Sequence, residues 1–285
     1  MGNTPNPIPN IVLTIAGFDP TGGAGIIADT KTIREFHAYP VGLVTSLTSQ
    51  NSRGFYKAIS TPTNLLKHQL KSIIQDFTIN AIKIGMISEI STLNFIIDAL
   101  SHELKGVPTV IDPIISPTKA NKEMSMPMID IYSQKLMPLA TIITPNINEA
   151  QIFTGKTINS VKSLKEAASI LLATGTKSVF ITGGDHFLSL NNDTLTDIFL
   201  EKNNLKVYRH KTINTTNTHG TGCMLSSAIA ANLAKNYDNE TSVKLARDYI
   251  LKQIKLSSRI QLTNNNGKPN EYGPLGLLTL NKSKS

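Results

Sequence analysis

Tryptophan is absent from this 285-residue chain, and cysteine occurs once, at position 223. A single thiol excludes a disulfide framework and a cysteine-built zinc site within the chain, and it suits a reducing compartment. No apolar run approaches the ~18 residues needed to cross a bilayer, so no membrane role is expected. Residues 1–10 are rich in Pro and Asn, without a basic start or an apolar centre. They read as a flexible tail rather than a signal peptide, and the expected location is the cytoplasm. The formal charge of +8 comes from Lys and Arg scattered along the chain, with no dense basic run and no interleaving with aromatics. That scatter argues against a nucleic-acid partner and for small anionic substrates or a plain solvated surface. No internal repeat or linker is visible either, so residues 11–285 are expected to form one domain.

What the chain does have is an alternation of short β-branched runs with helical segments, the signature of a parallel sheet wrapped by helices. Strands are expected at 11–16, 41–45, 81–85, 109–112, 141–144 and 178–182. Several are apolar throughout, as strands covered on both faces should be. Helices are expected over 63–77, with Thr63 as cap, and over 163–173, with a capping box of Ser163 and Glu166 and a stop at Gly175. Residues 197–200 and 206–208 alternate around Asn203-Asn204, which reads as an antiparallel hairpin at the sheet edge.

The most informative stretch is Asn217-Thr218-His219-Gly220-Thr221-Gly222-Cys223, which runs straight into the helical apolar pattern Leu225, Ala228, Ile229, Leu233. A glycine-flanked turn at a helix start leaves backbone N–H groups unpaired beside the positive end of the helix dipole, which makes a site for an anion. At that position a thiol's pKa is expected to fall, so that Cys223 becomes a thiolate able to accept a proton. The alternative is that Cys223 is a small buried apolar residue and the glycines merely cap the helix.

In parallel α/β sheets ligands sit beyond the carboxyl ends of the strands, so the residues following each strand are the candidates for chemistry. After the first comes Ala16-Gly17-Phe18-Asp19-Pro20-Thr21-Gly22-Gly23-Ala24-Gly25, with Asp29 and Lys31 in the helix beyond. It is neither a dinucleotide fingerprint nor a Walker loop, since no Gly-Lys-Ser/Thr follows. Asp29 is placed to hydrogen-bond a ligand amine; otherwise it is a solvated surface group. Gln50-Asn51, Met86, Asp112-Pro113, and Asn146 with Glu149 follow later strands. Gln50 offers a donor and an acceptor to a heterocycle edge, and Asn146 is also a natural helix cap. Together these residues draw a crevice with oxygen ligands suited to hydrated Mg²⁺ and no soft ligands for zinc.

In order and spacing, from about Ile11 to about Lys255, these residues resemble the hydroxymethylpyrimidine/phosphomethylpyrimidine kinases of thiamine biosynthesis, in the ribokinase-like superfamily. The matching segments are Thr14–Thr32, Gln50-Asn51, Lys83-Ile84-Gly85-Met86, Thr144–Ala150 and Asn217–Cys223. The resemblance implies a three-layer α/β/α sandwich with a central, mostly parallel sheet. It also implies an ATP- and Mg²⁺-dependent kinase, a homodimer, that phosphorylates 4-amino-5-hydroxymethyl-2-methylpyrimidine and then its monophosphate. It places the pyrimidine near Gly17, Ala24, Asp29, Gln50 and Met86. Gly220, Thr221 and Gly222 become the anion hole, and Cys223 the base. Asn146, Glu149, Thr182 and Thr218 are placed toward the nucleotide, and Asp112 and Glu149 toward Mg²⁺.

The chain departs from the family pattern in three places. Thr182-Gly183-Gly184-Asp185-His186 stands where a Lys-Gly-Gly-His run is usual; Ile114–Lys122 replaces the usual small, Lys- and Gly-containing flap; and the C-terminal His- and Gly-rich run shrinks to Tyr272-Gly273-Pro274. Pyridoxal or pyridoxine kinase is the alternative within the superfamily, and a non-catalytic pyrimidine-binding relative is the alternative outside catalysis.

Overall fold

The computed structural model describes residues 9–51, 54–115, 124–183 and 194–258. Residues 1–8, most of the expected flap (116–122), Gly184 to His186, and Tyr272 to Pro274 lie outside the described residues. A nine-stranded sheet runs through the described chain in the order β3-β2-β1-β4-β5-β6-β7-β8-β9. Its parallel centre is β2 (Tyr39–Asn51), β1 (Ile11–Phe18), β4 (Ala81–Ile84), β5 (Thr109–Ile111), β6 (Ile142–Ile143) and β7 (Ser178–Ile181). Antiparallel strands flank it: β3 (Gly54–Ser60) on one side, and β8 (Thr194–Glu201) with β9 (Asn204–Lys211) on the other.

Helices cover both faces because the central strands are buried on both. In β1, Leu13 and Ile15 face a core shared with α2 (Thr63–Asp76), α3 (Ile90–Ser101), α5 (Ile147–Thr154) and α6 (Val161–Leu172). Val12 faces the opposite core, with α1 (Gly25–Glu35), α7 (Thr221–Ala234) and α8 (Asn239–Ser257). A short α4 (Met126–Ile131) completes the first layer. Sheet and helices thus form the expected α/β/α sandwich, and the hairpin expected at the edge is β8–β9. Helix α7 is buried from Cys223 to Ala234, and its small residues Ser226, Ser227, Ala228, Ala230 and Ala231 let it lie close between the sheet and its helical neighbours.

Local expectations were corrected at four points. Thr63 is the first helical residue, after Pro62 as N-cap, and makes no capping bond. The helix expected from 163 starts at Val161: Ser160 caps it, and Ser163 returns the second bond of the box in the role expected of Glu166. Ser160 Oγ accepts from Ser163 N at 3.1 Å, and Ser163 Oγ accepts from Ser160 N at 3.0 Å. Gln50 lies within β2 rather than after it, opposite Phe55 of β3. Strand β3 was not expected, because Tyr56, Lys57 and Ile59 are exposed and no face of it is buried, so it carries no apolar alternation.

Candidate active site

Strand β1 sits where the strand order reverses, between β2 and β4, which is where parallel α/β folds open a crevice. A cavity of about 590 Å³ lies there, beyond the carboxyl ends of the strands. Gly17, Ala24, Gln50 and Met86 line one part of it. Gly220, Thr221, Gly222 and Cys223 line it too, as do Asp112, Asn146, Glu149, Thr182 and Thr218. Residues spread over two hundred positions of sequence therefore converge, with one exception.

The exception is Asp29. It does not line the cavity and it is not solvated; it is fully buried beneath the site. Lys83 Nζ lies 2.9 Å from both carboxylate oxygens, Thr14 Oγ1 donates at 2.6 Å, and Ser227 Oγ at 2.9 Å. Those bonds saturate the carboxylate, so it has nothing to offer a ligand amine. Burial by itself would lower the Lys83 pKa, but Asp29 outweighs it and holds the ammonium well above the ordinary lysine value.

The turn that opens α7, the candidate anion mouth, is built by backbone. Gly220 caps α7 at φ +85°, and a Cβ there would stand 1.8 Å from the Gly23 carbonyl oxygen, so the two glycine loops touch main chain to main chain. Thr221 N–H turns back to the Thr218 carbonyl at 3.2 Å. The next amides, of Gly222 and Cys223, belong to the first turn of the helix and have no intrahelical acceptor. They line the cavity beside the positive end of the helix dipole.

Cys223 contradicts the expected thiolate. Its side chain is buried, and burial pushes the thiol up to about 12, with Asp29 and Asp112 adding to the rise against the opposing pull of Lys83. A half-unit charge at a helix end is too weak to offset desolvation next to two carboxylates. Cys223 is therefore a neutral thiol, hydrogen-bonded to the Asp112 side chain.

Asp112 and Glu149 are the buried carboxyl groups of the cavity lining whose pKa values are raised. Burial pushes Asp112 up to about 6 despite Lys83, and burial pushes Glu149 up to about 8 with the Asp112 charge adding to it. Glu149 also completes the capping box of α5: Asn146 Oδ1 accepts from Glu149 N, and Glu149 Oε2 accepts from Asn146 N, both at 2.9 Å. Asn146 thus spends its carbonyl oxygen on the cap and keeps its amide hydrogens. Two buried, mutually repelling carboxylates at a cavity wall fit a hydrated divalent cation that takes its other ligands from phosphate and water. Among the described residues no group of three or more His, Cys, Asp or Glu is placed to hold a metal ion.

Two features had no readable local signal. Arg247 of α8 lines the cavity and donates through Nε to Asp197 Oδ2 at 2.8 Å, while Asp197 Oδ1 accepts from Gly183 N at 2.9 Å. His219 also lines the cavity, and its Nε2 donates to Asp19 Oδ2 at 2.9 Å. Asp197 and Arg247 lie outside every motif of the sequence, and although Asp19 and His219 lie inside two of them, only contact between distant elements pairs them.

A family model of phosphomethylpyrimidine kinase matches residues 19–270. The chain is 32% identical over 250 residues to the hydroxymethylpyrimidine/phosphomethylpyrimidine kinase of Aquifex aeolicus, covering 88% of this chain and 96% of the relative. The crystal structure of phosphomethylpyrimidine kinase from Clostridium difficile superposes with a TM-score of 0.73 at 33% identity, covering 86% of this chain and 99% of that one. An ADP complex of Bacillus subtilis pyridoxal kinase superposes at 0.81 with 29% identity, covering 92% and 96%.

Proposed function

The chain belongs to the phosphomethylpyrimidine kinase family and is a phosphotransferase, and we propose that it transfers the terminal phosphoryl group of ATP to hydroxymethylpyrimidine and then to the monophosphate, in thiamine biosynthesis. The observation that carries this reading is one cavity of about 590 Å³ whose lining brings a glycine-built helix start together with two buried carboxyl groups. Pyridoxal kinase, the alternative, fits the relatives less well, because the family model and the sequence relatives name the pyrimidine.

Charge in phosphoryl transfer spreads over the equatorial oxygens, and fixed donors aimed at it supply most of the catalysis. The amides of Gly222 and Cys223 are such donors, pre-oriented by α7 at no cost at the moment of reaction. Gly17, Ala24, Gln50 and Met86 form the wall that holds the ring, while Asn146, Thr182 and Thr218 face the nucleotide. Thr182 brings no charge, and Arg247 is a cation on the same cavity. Asp112 and Glu149 would hold Mg²⁺, which supplies neutralisation of the phosphate charge when bound.

The two steps differ in one proton. A hydroxymethyl group must shed its hydrogen as it attacks, whereas a phosphate oxygen needs no base. Cys223, neutral and hydrogen-bonded to Asp112, would take that proton on sulfur as its own S–H proton passes to the Asp112 carboxylate. Single-turnover product assays with the alcohol and with the monophosphate, each with ATP, test both the function and this role. Wild type should convert both, and Cys223→Ala should slow the alcohol step at least about 10-fold more than the monophosphate step. Equal slowing would make Cys223 a wall of the anion hole only, and phosphorylation of pyridoxal in place of both substrates would remove the functional reading.

Cation binding has its own signature. Because the Asp112 and Glu149 pKa values are raised, both groups are increasingly forced into the charged state as pH climbs from the ordinary carboxylate range through about 8. Their contribution to stability therefore falls over that range, and a cation restores it. Saturating Mg²⁺ should raise the thermal midpoint by about 2–4 °C or more at pH 8.5 and by much less at pH 6. An equal rise at both pH values, measured by calorimetry, would place the cation elsewhere.

A homodimer is supported by the exposed apolar residues Leu47, Tyr56 and Ile59 on the β2–β3 ribbon, where Leu47 and Ile59 are cross-strand partners. Sedimentation as a monomer would remove that reading. A lone thiol that is buried suits the cytoplasm.

A further inference from the structure

The two glycine loops that frame the cavity are joined by a pair of side chains 200 residues apart in sequence. Asp19, only 1% exposed, uses its whole carboxylate: Oδ1 accepts from Thr21 N and Thr21 Oγ1, each at 2.8 Å, and Oδ2 accepts from Ala24 N at 2.9 Å and from His219 Nε2 at 2.9 Å. Burial by itself would raise the Asp19 pKa, but the bonds from His219 and Thr21 outweigh it and hold the group below its ordinary value. Its partner His219 lies between Thr218 and Gly220, on the loop that opens α7.

What the pair joins are the two sides of the reaction. Asp19 anchors the turn that carries Ala24, one wall of the substrate pocket, and His219 is the immediate neighbour of Gly220 at the anion mouth. The same loops meet again where the Gly220 backbone lies against the Gly23 carbonyl, and where Gly25 N–H donates to the Cys223 thiol. The Gly220–Gly23 main-chain contact resists compression but not sliding, and an N–H bond to a neutral thiol is a weak restraint. A charge-assisted hydrogen bond from imidazole to a carboxylate supplies the direction.

We propose that Asp19 and His219 are a positioning pair, which holds the attacking oxygen of the substrate at reacting distance from the phosphoryl group in the anion mouth. In-line attack requires the reacting atoms about 3–3.5 Å apart, and an error near 1 Å costs about 100-fold in rate. Loss of the pair therefore appears in turnover rather than in binding, because each loop keeps its own ligand contacts. The inference rests on the kinase reading above.

The test measures kcat and both KM values for wild type, His219→Ala, Asp19→Ala, the double variant and His219→Gln. His219→Ala should lower kcat about 30- to 100-fold, with either KM moving less than about 3-fold. The double variant should be no slower than the slower single variant, because the pair acts as one unit. His219→Gln, whose side-chain amide can still donate to Asp19, should recover to within about 5-fold of wild type. Multiplying losses in the double variant, a Gln variant as slow as the Ala variant, or a defect confined to KM would each overturn the pair. Thermal unfolding of every variant identifies any that fails to fold, and if Asp19→Ala does, the two His219 variants decide by themselves. Failure of wild-type protein to turn over the pyrimidine would instead defeat the kinase reading, so the two failures are separable.

Discussion

Gly220→Ala should leave a protein with less than about one-thousandth of wild-type kcat/KM, the largest loss expected from any single methyl group in this chain. The residue sits at φ +85°, a conformation that alanine adopts only with strain, and its new Cβ would stand 1.8 Å from the Gly23 carbonyl oxygen. No side-chain rotation relieves that contact, because both atoms belong to backbone or are fixed to it. The loop must open, and the amides of Gly222 and Cys223 move with it. Losing one preorganised donor of this kind costs about 10²–10³-fold, and here two are displaced together. Stability should fall as well, by about 1–3 kcal/mol for the strained backbone before the clash is counted. Gly222→Ala is the control: its Cβ would meet Asp112 Oδ2 at 3.5 Å, an ordinary contact, so the variant should fold with near wild-type stability. Steady-state kinetics with urea unfolding of both variants checks this, and a Gly220→Ala enzyme retaining a tenth of its activity would refute the role given to the mouth.

Lys83→Met should be the most damaging change outside the cavity lining. Both members of the Lys83–Asp29 pair are fully buried, 2.9 Å apart, in the layer between the sheet and α7. Methionine fills a similar volume but leaves Asp29 without a countercharge, and it also removes a positive neighbour of Asp112 and Cys223. Removing one partner of a buried ion pair costs about 3–5 kcal/mol, because the remaining charge is stranded in a medium that solvates it poorly. For a chain of this size that corresponds to a fall of roughly 6–15 °C in the thermal midpoint. The cost comes from isolation and not from loss of the pair, so adding Asp29→Asn to Lys83→Met should recover half or more of it. Calorimetry on the two single variants and the double decides the matter. A double variant less stable than either single one would mean that the ion pair itself is a large net stabiliser.

The parts of the fold legible in the sequence were those governed by local pattern. Ile11–Phe18 and Ser178–Ile181 are apolar on both faces, and the only way to bury both faces of a strand is to sheathe the sheet on two sides. Glycines at 220 and 222 ahead of an apolar helix marked a turn with unpaired backbone amides at a helix start in the same way. Strand β3 escaped notice because its side chains are half-exposed and its pairing with β2 is a matter of backbone bonds, which composition does not reveal. The start of α6 moved by two residues because serine at 163 can return a capping bond as well as glutamate can.

Motif order and the periodicity of apolar residues, both contained in the chain itself, determined the family, the layered architecture and the set of strand ends that line the cavity. Tertiary structure alone decided the state and the partner of each charged group. Asp29, by its spacing a candidate ligand, is consumed by Lys83, Thr14 and Ser227. Cys223, by its place at a helix start a candidate thiolate, stays protonated beneath two carboxylates. Asp19 and His219 acquire a joint role only when two loops meet. Propensity and patterning act over a few residues, whereas desolvation and charge pairing depend on what other segments bring within a few ångströms, and that is set by the packing of the whole sheet.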